Sequence, residues 1–112
     1  MEFLIITAMK IIYNNIIPFK GFAAINLFGI IFARKECWPL SAMTINHESI
    51  HTEQMKELLY VGFYLCYLAE WIVRLFMKGN AYRNISFERE AYRCQHIPGY
   101  AQIRQRFAQW RS

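Results

Sequence analysis

The chain has 112 residues, enough for one small domain with a single hydrophobic core, and we expect one domain over residues 1–112. Hydrophobic residues make up 55% of it and aromatic residues 17%, which excludes disordered, low-complexity and collagen-like proteins. The net charge is +5, with the basic excess after residue 80. No nucleic-acid-binding motif accompanies this excess, so we interpret it as a solvated surface and expect no nucleic-acid partner.

The cysteines and the uncharged segments bear on the compartment. Three widely spaced cysteines favour a reducing, cytoplasmic environment over a disulfide framework. The apolar N-terminus lacks basic residues and a small-residue cleavage site, so we expect no cleaved signal peptide. The longest uncharged runs, 21–33 and 58–69, have 13 and 12 residues and are too short to span a bilayer. We expect a cytoplasmic protein, with association with the inner membrane as the alternative.

The first third of the chain is rich in β-branched and aromatic residues. This composition predicts strands at Ile11–Phe19 and Phe22–Ala33, separated by a turn that Pro18 and Lys20-Gly21 mark. A helix is the alternative for either segment, because short apolar runs do not determine the period. The segment Arg34–Leu40 is typical of a loop. We expect the strands to form a small antiparallel sheet.

Helical spacing of apolar residues begins at Ile45 and predicts a long helix that ends near Met77–Asn80, with Gly62 either bending it or splitting it in two. Its candidate N-caps are Ser41, Thr44 and Asn46. A second helix is predicted from residue 84 or 86 to residue 96, and a third over Tyr100–Trp110. The predicted fold class is therefore α+β: a small N-terminal antiparallel sheet packed on a long helix, followed by two shorter helices.

The most informative motif is His47-Glu48-Ser49-Ile50-His51, an HExxH pattern at the start of the long helix. Residues four apart share a helix face, so His47 and His51 can bind one metal ion. Glu48 lies about 100° around the helix axis, beside such an ion, where it can accept a proton from water. A chance match in a chain of this length is expected in roughly half a per cent of sequences. The motif predicts a zinc site with a catalytic glutamate.

A hydrolytic zinc site needs three protein ligands and an open position. The extended pattern HExxHxxGxxH is absent, so the third ligand must come from elsewhere in the chain. The candidates are Glu88, Glu90, His96 and Glu70.

An HExxH motif followed by a glutamate on a downstream helix resembles the gluzincin zinc metallopeptidases, whose second motif reads E-x-x-A-D or E-x-E-A. The corresponding residues here are 87–92, Phe-Glu-Arg-Glu-Ala-Tyr. The resemblance implies Zn²⁺ as the cofactor and Glu88 as its third ligand, with Ala91 as the family's small residue. It covers only Asn46–His51 and Glu88–Tyr92. The chain also resembles short uncharacterised bacterial proteins that carry HExxH.

The chain departs from the family pattern at Tyr92, which stands where the family has an aspartate that orients a zinc-binding histidine. The sequence contains no aspartate. We expect Tyr92, Glu90 or a backbone carbonyl to hold the imidazole instead.

Helical geometry favours Glu88 over Glu90 as the third ligand. Positions two apart on a helix point about 200° away from each other, so only one of the two carboxylates can face the metal. Ala91 lies on nearly the same side as Glu88 and would allow a close approach of the two helices. We expect Glu90 on the surface beside Arg83 and Arg93.

These residues predict a small zinc-dependent, metallopeptidase-like hydrolase with His47, His51 and Glu88 as ligands and Glu48 as the base. Tyr82 or Tyr92 is expected, by analogy, to donate to a developing oxyanion. The first alternative is a non-catalytic domain stapled by zinc. The second is an aromatic-rich membrane-associated or interaction module. In such a module, lipid or a partner helix would cover the aromatic residues Phe63, Tyr64, Tyr67, Trp71 and Phe76. The substrate is an unidentified peptide or protein. A short chain has little room for a deep cleft, so homo-oligomerisation is a further alternative.

Overall fold

The computed structural model describes residues 10–111; the N-terminal segment for which no signal peptide is expected lies outside them. The chain forms a small sheet and then helices, which confirms the α+β class. The strands are β1 (Ile11–Asn14), β2 (Ala24–Leu27) and β3 (Ile30–Arg34). The helices are α1 (Ala42–Glu57), α2 (Val61–Leu75), α3 (Ser86–Cys94) and α4 (Tyr100–Ile103).

The sheet is mixed rather than wholly antiparallel. β3 lies in the centre, antiparallel to β2 and parallel to β1. The predicted strand Phe22–Ala33 is interrupted by a two-residue turn at Phe28-Gly29, where φ is +53° and +89° as in a type I′ hairpin turn. This turn keeps β2 beside β3. The connection over residues 15–23 is long enough to cross the end of β3, so β1 pairs with its far side.

β1 is shorter than predicted because Asn14 turns the chain. Its Oδ1 accepts hydrogen bonds from the backbone N–H groups of Ile16 and Ile17 at 2.8 and 2.7 Å. Such side-chain bonds compete with strand pairing and form a turn. The predicted strand Ile11–Phe19 therefore ends at Asn14, and Pro18 lies in the connection to β2.

α1 carries the HExxH motif and is held by contacts at its N-terminus and beside the motif. Ser41 is its N-cap, with Oγ accepting from Thr44 N at 3.1 Å. Asn26 of β2 reaches across and donates from Nδ2 to the backbone oxygen of Glu48 at 2.8 Å and to Thr52 Oγ1 at 2.8 Å. The sheet is thus anchored to the helix at the motif itself.

The long helix is split, but not at Gly62. α1 ends at Glu57, and Leu59 and Tyr60 have φ values of +55° and +61°, after which α2 begins with Gly62 inside it. Among residues 10–111, no single helix has both the length and the apolar character to cross a bilayer. α1 and α2 meet that criterion only as a pair bent by 109°, on length and composition alone. The bend returns α2 towards α1 and α3, where Phe63 packs on His51 and Phe87.

The third predicted helix is correct only at its start. α4 ends at Ile103, Phe107 has a φ of +56°, and a 3₁₀ turn occupies Ala108–Trp110. Tertiary contacts override the helical pattern. The Phe107 N–H donates to Glu57 Oε1 at 3.1 Å, and the Arg104 guanidinium is buried against carboxylates.

Candidate metal centre

Three buried donor atoms converge between α1 and α3. The Nε2 atoms of His47 and His51 are 3.2 Å apart, and Glu88 Oε1 lies 3.3 Å from the first and 3.1 Å from the second. A tetrahedral ion with ligand bonds of 2.0–2.1 Å holds its ligand atoms about 3.3–3.4 Å from one another. The three atoms therefore have the spacing of one face of such a coordination sphere, and this cluster could hold a metal ion.

The fold brings the three ligand candidates together by simple means. His47 and His51 are four residues apart and share the inner face of α1. Glu88 lies in the first turn of α3, and the small side chain of Ala91 packs against Ile50 of α1, which permits a close approach of the two helices. The expected juxtaposition of the two histidines with Glu88 is present.

The other candidate ligands lie elsewhere. Glu70 binds the start of α3: its Oε1 accepts from Ser86 N and its Oε2 from Ser86 Oγ, each at 2.7 Å. His96 is exposed beyond the end of α3. Glu90 points away from the cluster, as the helix geometry requires.

Glu90 is not on the surface, contrary to expectation. It is fully buried, and Arg104 binds it from Nε to Oε2 at 2.7 Å and from Nη2 to Oε1 at 2.8 Å. Tyr100 also donates to Oε2 at 2.8 Å. Burial raises the pKa of Glu90, but the hydrogen bonds from Arg104 and Gln54 outweigh it and hold the pKa below its usual range. Arg104, 14 residues away in sequence, could not be identified as the partner from helical spacing.

Two glutamines orient the histidines, and neither was predicted to do so. His47 Nδ1 lies 2.7 Å from Gln95 Oε1, and His51 Nδ1 lies 2.8 Å from Gln54 Oε1. An amide oxygen only accepts, so both Nδ1 atoms donate and both Nε2 atoms face the cluster. Tyr92, expected in this role, instead packs edge-on against the His47 ring.

The orientation of Gln54 follows from its other contacts. Its Nε2 donates to the backbone oxygen of Phe87 at 3.1 Å and to Glu90 Oε1 at 2.9 Å, which leaves Oε1 for His51. The chain of contacts therefore runs from Arg104 through Glu90 and Gln54 to the candidate ligand. Gln54 is three residues after His51 and on the same side of α1, and this spacing was the sequence signal that could have predicted their contact.

Glu88 and His51 form a buried pair, with Glu88 Oε1 3.1 Å from His51 Nε2. Burial opposes the protonated imidazole, but the adjacent Glu88 carboxylate outweighs this and raises the pKa of His51 to about 9. Burial raises the pKa of Glu88, whereas His51, His47 and Tyr67 together hold it well below its usual range. The Tyr67 hydroxyl donates to Glu88 Oε2 at 2.7 Å. Burial and this carboxylate raise the pKa of Tyr67, so it remains a donor.

The cluster lies in a cavity of about 560 Å³ that Glu48 also lines. The Glu48 side chain is buried, and its desolvation raises the pKa of the carboxyl group against the opposing effect of the two histidines. The other walls are largely apolar and come from the β1–β2 connection, from β2, from α1 and from α2. Their contributors include Phe19, Phe22, Ile25, Met55 and Phe63.

Tyr82 and Tyr92 line the same cavity. Their hydroxyl oxygens are 3.3 Å apart, and the Arg83 guanidinium lies 3.7 Å from the centre of the Tyr92 ring. Burial raises the pKa of Tyr82, which keeps its hydroxyl protonated. Both predicted tyrosines therefore line the cavity, and either hydroxyl can be the donor in the contact between them.

Comparison of the chain with protein-family models, curated proteins and solved structures finds no match. The functional interpretation therefore depends on the geometry and chemistry of these side chains.

Proposed function

We propose that the protein is a zinc-dependent, metallopeptidase-like hydrolase with His47, His51 and Glu88 as ligands and Glu48 as the general base. The observation that carries the proposal is the convergence of two imidazole nitrogens and one carboxylate oxygen, 3.1–3.3 Å apart, in a cavity that a further carboxyl group lines. Two nitrogens and one carboxylate are one of the ligand sets of catalytic zinc sites, which keep a fourth position for water or substrate. The motif's resemblance to the gluzincins favours the same chemistry.

Each polar group around the cavity has a role in this proposal. Bound zinc would supply a Lewis acid that polarises a carbonyl group and acidifies water. Glu48 accepts the proton of the attacking water and returns it to the leaving amine. Its burial suits this exchange because it moves the pKa of the carboxyl group towards neutrality. Tyr82 or Tyr92 donates to the oxygen on which negative charge develops.

The apolar walls favour a substrate with an apolar side chain next to the scissile bond. Phe19 and Phe22 line the cavity and are also 82% and 65% exposed, so they lie at its mouth. A small apolar cavity gains affinity chiefly from the removal of apolar surface from water. We therefore expect cleavage of peptides beside leucine or phenylalanine rather than beside charged residues.

The test combines metal analysis with cleavage of a peptide library that varies the residues beside the scissile bond. Glu48→Gln should keep zinc and lose cleavage, because only the base is removed. Glu53→Gln is the matched control, since Glu53 is on the same helix, outside the cavity, and pairs with Lys56. Both activity and zinc should survive that change.

Two outcomes would contradict the proposal. If the wild-type protein binds no zinc, the three residues do not form a zinc site. A protein that binds zinc, unfolds on chelation and cleaves nothing in the library would favour the stapled, non-catalytic domain.

A further inference from the structure

The outward side of α2 has an apolar surface where a water-exposed helix normally carries polar side chains. Phe63 faces inward and is 3% exposed, and Tyr64 and Tyr67 extend the same inner cluster. The outward residues are between 46% and 64% exposed: Val61, Leu65, Leu68, Ile72, Val73 and Leu75. We call these six residues the α2 outer face.

This face is broader than the contact of two paired helices. A coiled-coil seam uses a narrow stripe with alternating spacings of three and four residues. Five of the six, Val61, Leu65, Leu68, Ile72 and Leu75, follow the spacing of such a seam, but Val73 points about 100° away from Ile72. The exposed Leu59 and Phe76, at 82% and 86%, add apolar residues just beyond both ends of α2. A surface of this breadth fits a planar apolar medium better than a single partner helix.

The charged residues towards the C-terminal end of α2 and beyond it indicate what kind of apolar medium this is. The charged side chains exposed in residues 71–111 are all basic: Lys78, Arg83, Arg89, Arg93, Arg106 and Arg111. The acidic residues in that range, Glu88 and Glu90, are both buried. Such a surface attracts an anionic bilayer, whereas two copies of a chain with a net charge of +5 repel each other.

We propose that the α2 outer face docks the protein onto the surface of an anionic phospholipid bilayer. α2 has 15 residues and is about 22 Å long, so it lies in the interface with its apolar side towards the acyl chains. Trp71, 39% exposed on this helix, has the amphipathic ring that favours the headgroup region. The basic residues add electrostatic attraction. This inference does not depend on the metal centre.

The experiment measures co-sedimentation of the full-length protein with vesicles of phosphatidylcholine containing about 30 mol% phosphatidylglycerol. Wild-type protein should sediment with these vesicles, and at least about tenfold more weakly with pure phosphatidylcholine or in about 0.5 M salt. Leu65→Gln/Leu68→Gln should lower binding by at least about tenfold, because two apolar side chains leave the interface. Ile103→Gln is the control, since Ile103 is 72% exposed on α4 and outside this face.

Circular dichroism verifies that the double variant is folded. If it is not, Leu65→Ser alone, compared with Ile103→Ser, replaces it. Wild-type protein that remains in the supernatant with both vesicle types would overturn the proposal. Equal binding by a folded outer-face variant and its control would overturn it as well. Self-association that the outer-face substitutions abolish, without vesicle binding, would identify a second copy of the chain as the occupant instead.

Discussion

The amide oxygen of Gln54 lies 2.8 Å from Nδ1 of His51 and determines which imidazole nitrogen faces the cavity. The same amide donates to Glu90, whose partner is Arg104. The buried ion pair of Glu90 and Arg104 is therefore linked through Gln54 to a candidate metal ligand. A substitution at Gln54 should therefore affect both metal binding and folding.

Gln54→Leu and Gln95→Leu should both weaken zinc binding by roughly 10- to 100-fold, because each leaves a ligand histidine without its orienting acceptor. Gln54→Leu should lower the free energy of unfolding of the metal-free protein more than Gln95→Leu does, since Glu90 and the Phe87 carbonyl also lose a donor. Chelator competition and urea denaturation measure the two effects. Equal zinc affinity of both variants and the wild type would contradict the assigned orientation.

Glu88→Ala and Glu90→Ala should impair different properties: the first zinc binding, the second folding stability. Glu88→Ala removes a ligand and should abolish tight zinc binding. Glu90→Ala leaves the Arg104 guanidinium, 2% exposed, without its main partner and should cost roughly 3–5 kcal/mol of unfolding free energy. Metal analysis and denaturation distinguish these results. Loss of zinc from a folded Glu90→Ala variant, with retention in Glu88→Ala, would reverse the assignment.

The metal-free protein should lose stability as pH rises through the pKa of His51. In the folded state that pKa is raised from 6.5 to about 9, so the folded state binds the proton more tightly than the unfolded state. The stabilisation that protonated His51 contributes is complete below pH 6.5 and disappears above about pH 9. It amounts to roughly 3 kcal/mol at most. Denaturation at several pH values in the presence of chelator measures it. In His51→Gln the decline over this range should vanish, and a wild type without it would contradict the prediction.

The tyrosines should affect turnover rather than metal binding. Tyr82→Phe and Tyr92→Phe each remove one hydroxyl from the cavity. Whichever tyrosine donates to the oxyanion, its variant should lose roughly 100- to 1,000-fold in kcat while retaining zinc. Tyr60→Phe, on a tyrosine outside the cavity lining, is the control. Undiminished kcat in the variant lacking both Tyr82 and Tyr92 hydroxyls would exclude this role.

Local patterns were sufficient for the parts of the structure that depend on local geometry. Four-residue spacing on a helix places His47 and His51 together, and the two-residue separation of Glu88 and Glu90 sends these carboxylates in different directions. The α+β class followed from the change of apolar period near Ile45.

Long-range contacts determine what the patterns missed. The parallel pairing of β1 with β3 depends on a connection that crosses the sheet edge, and the end of α4 depends on the burial of Arg104. The positive φ values that separate α1 from α2 occur at Leu59 and Tyr60, neither of them glycine, and not at Gly62 two residues later. Gln95 is 48 residues from His47, and no spacing rule connects the two.

The metal content of the purified protein, prepared without chelator, tests the metal centre independently of any substrate. We expect about one equivalent of zinc in the wild type. His51→Ala should contain essentially none, because the two remaining ligands, His47 and Glu88, are too few to hold the ion. Glu53→Gln, on the same helix, should match the wild type. A wild-type protein without bound metal that also takes up no added zinc would contradict the assignment of His47, His51 and Glu88 as ligands.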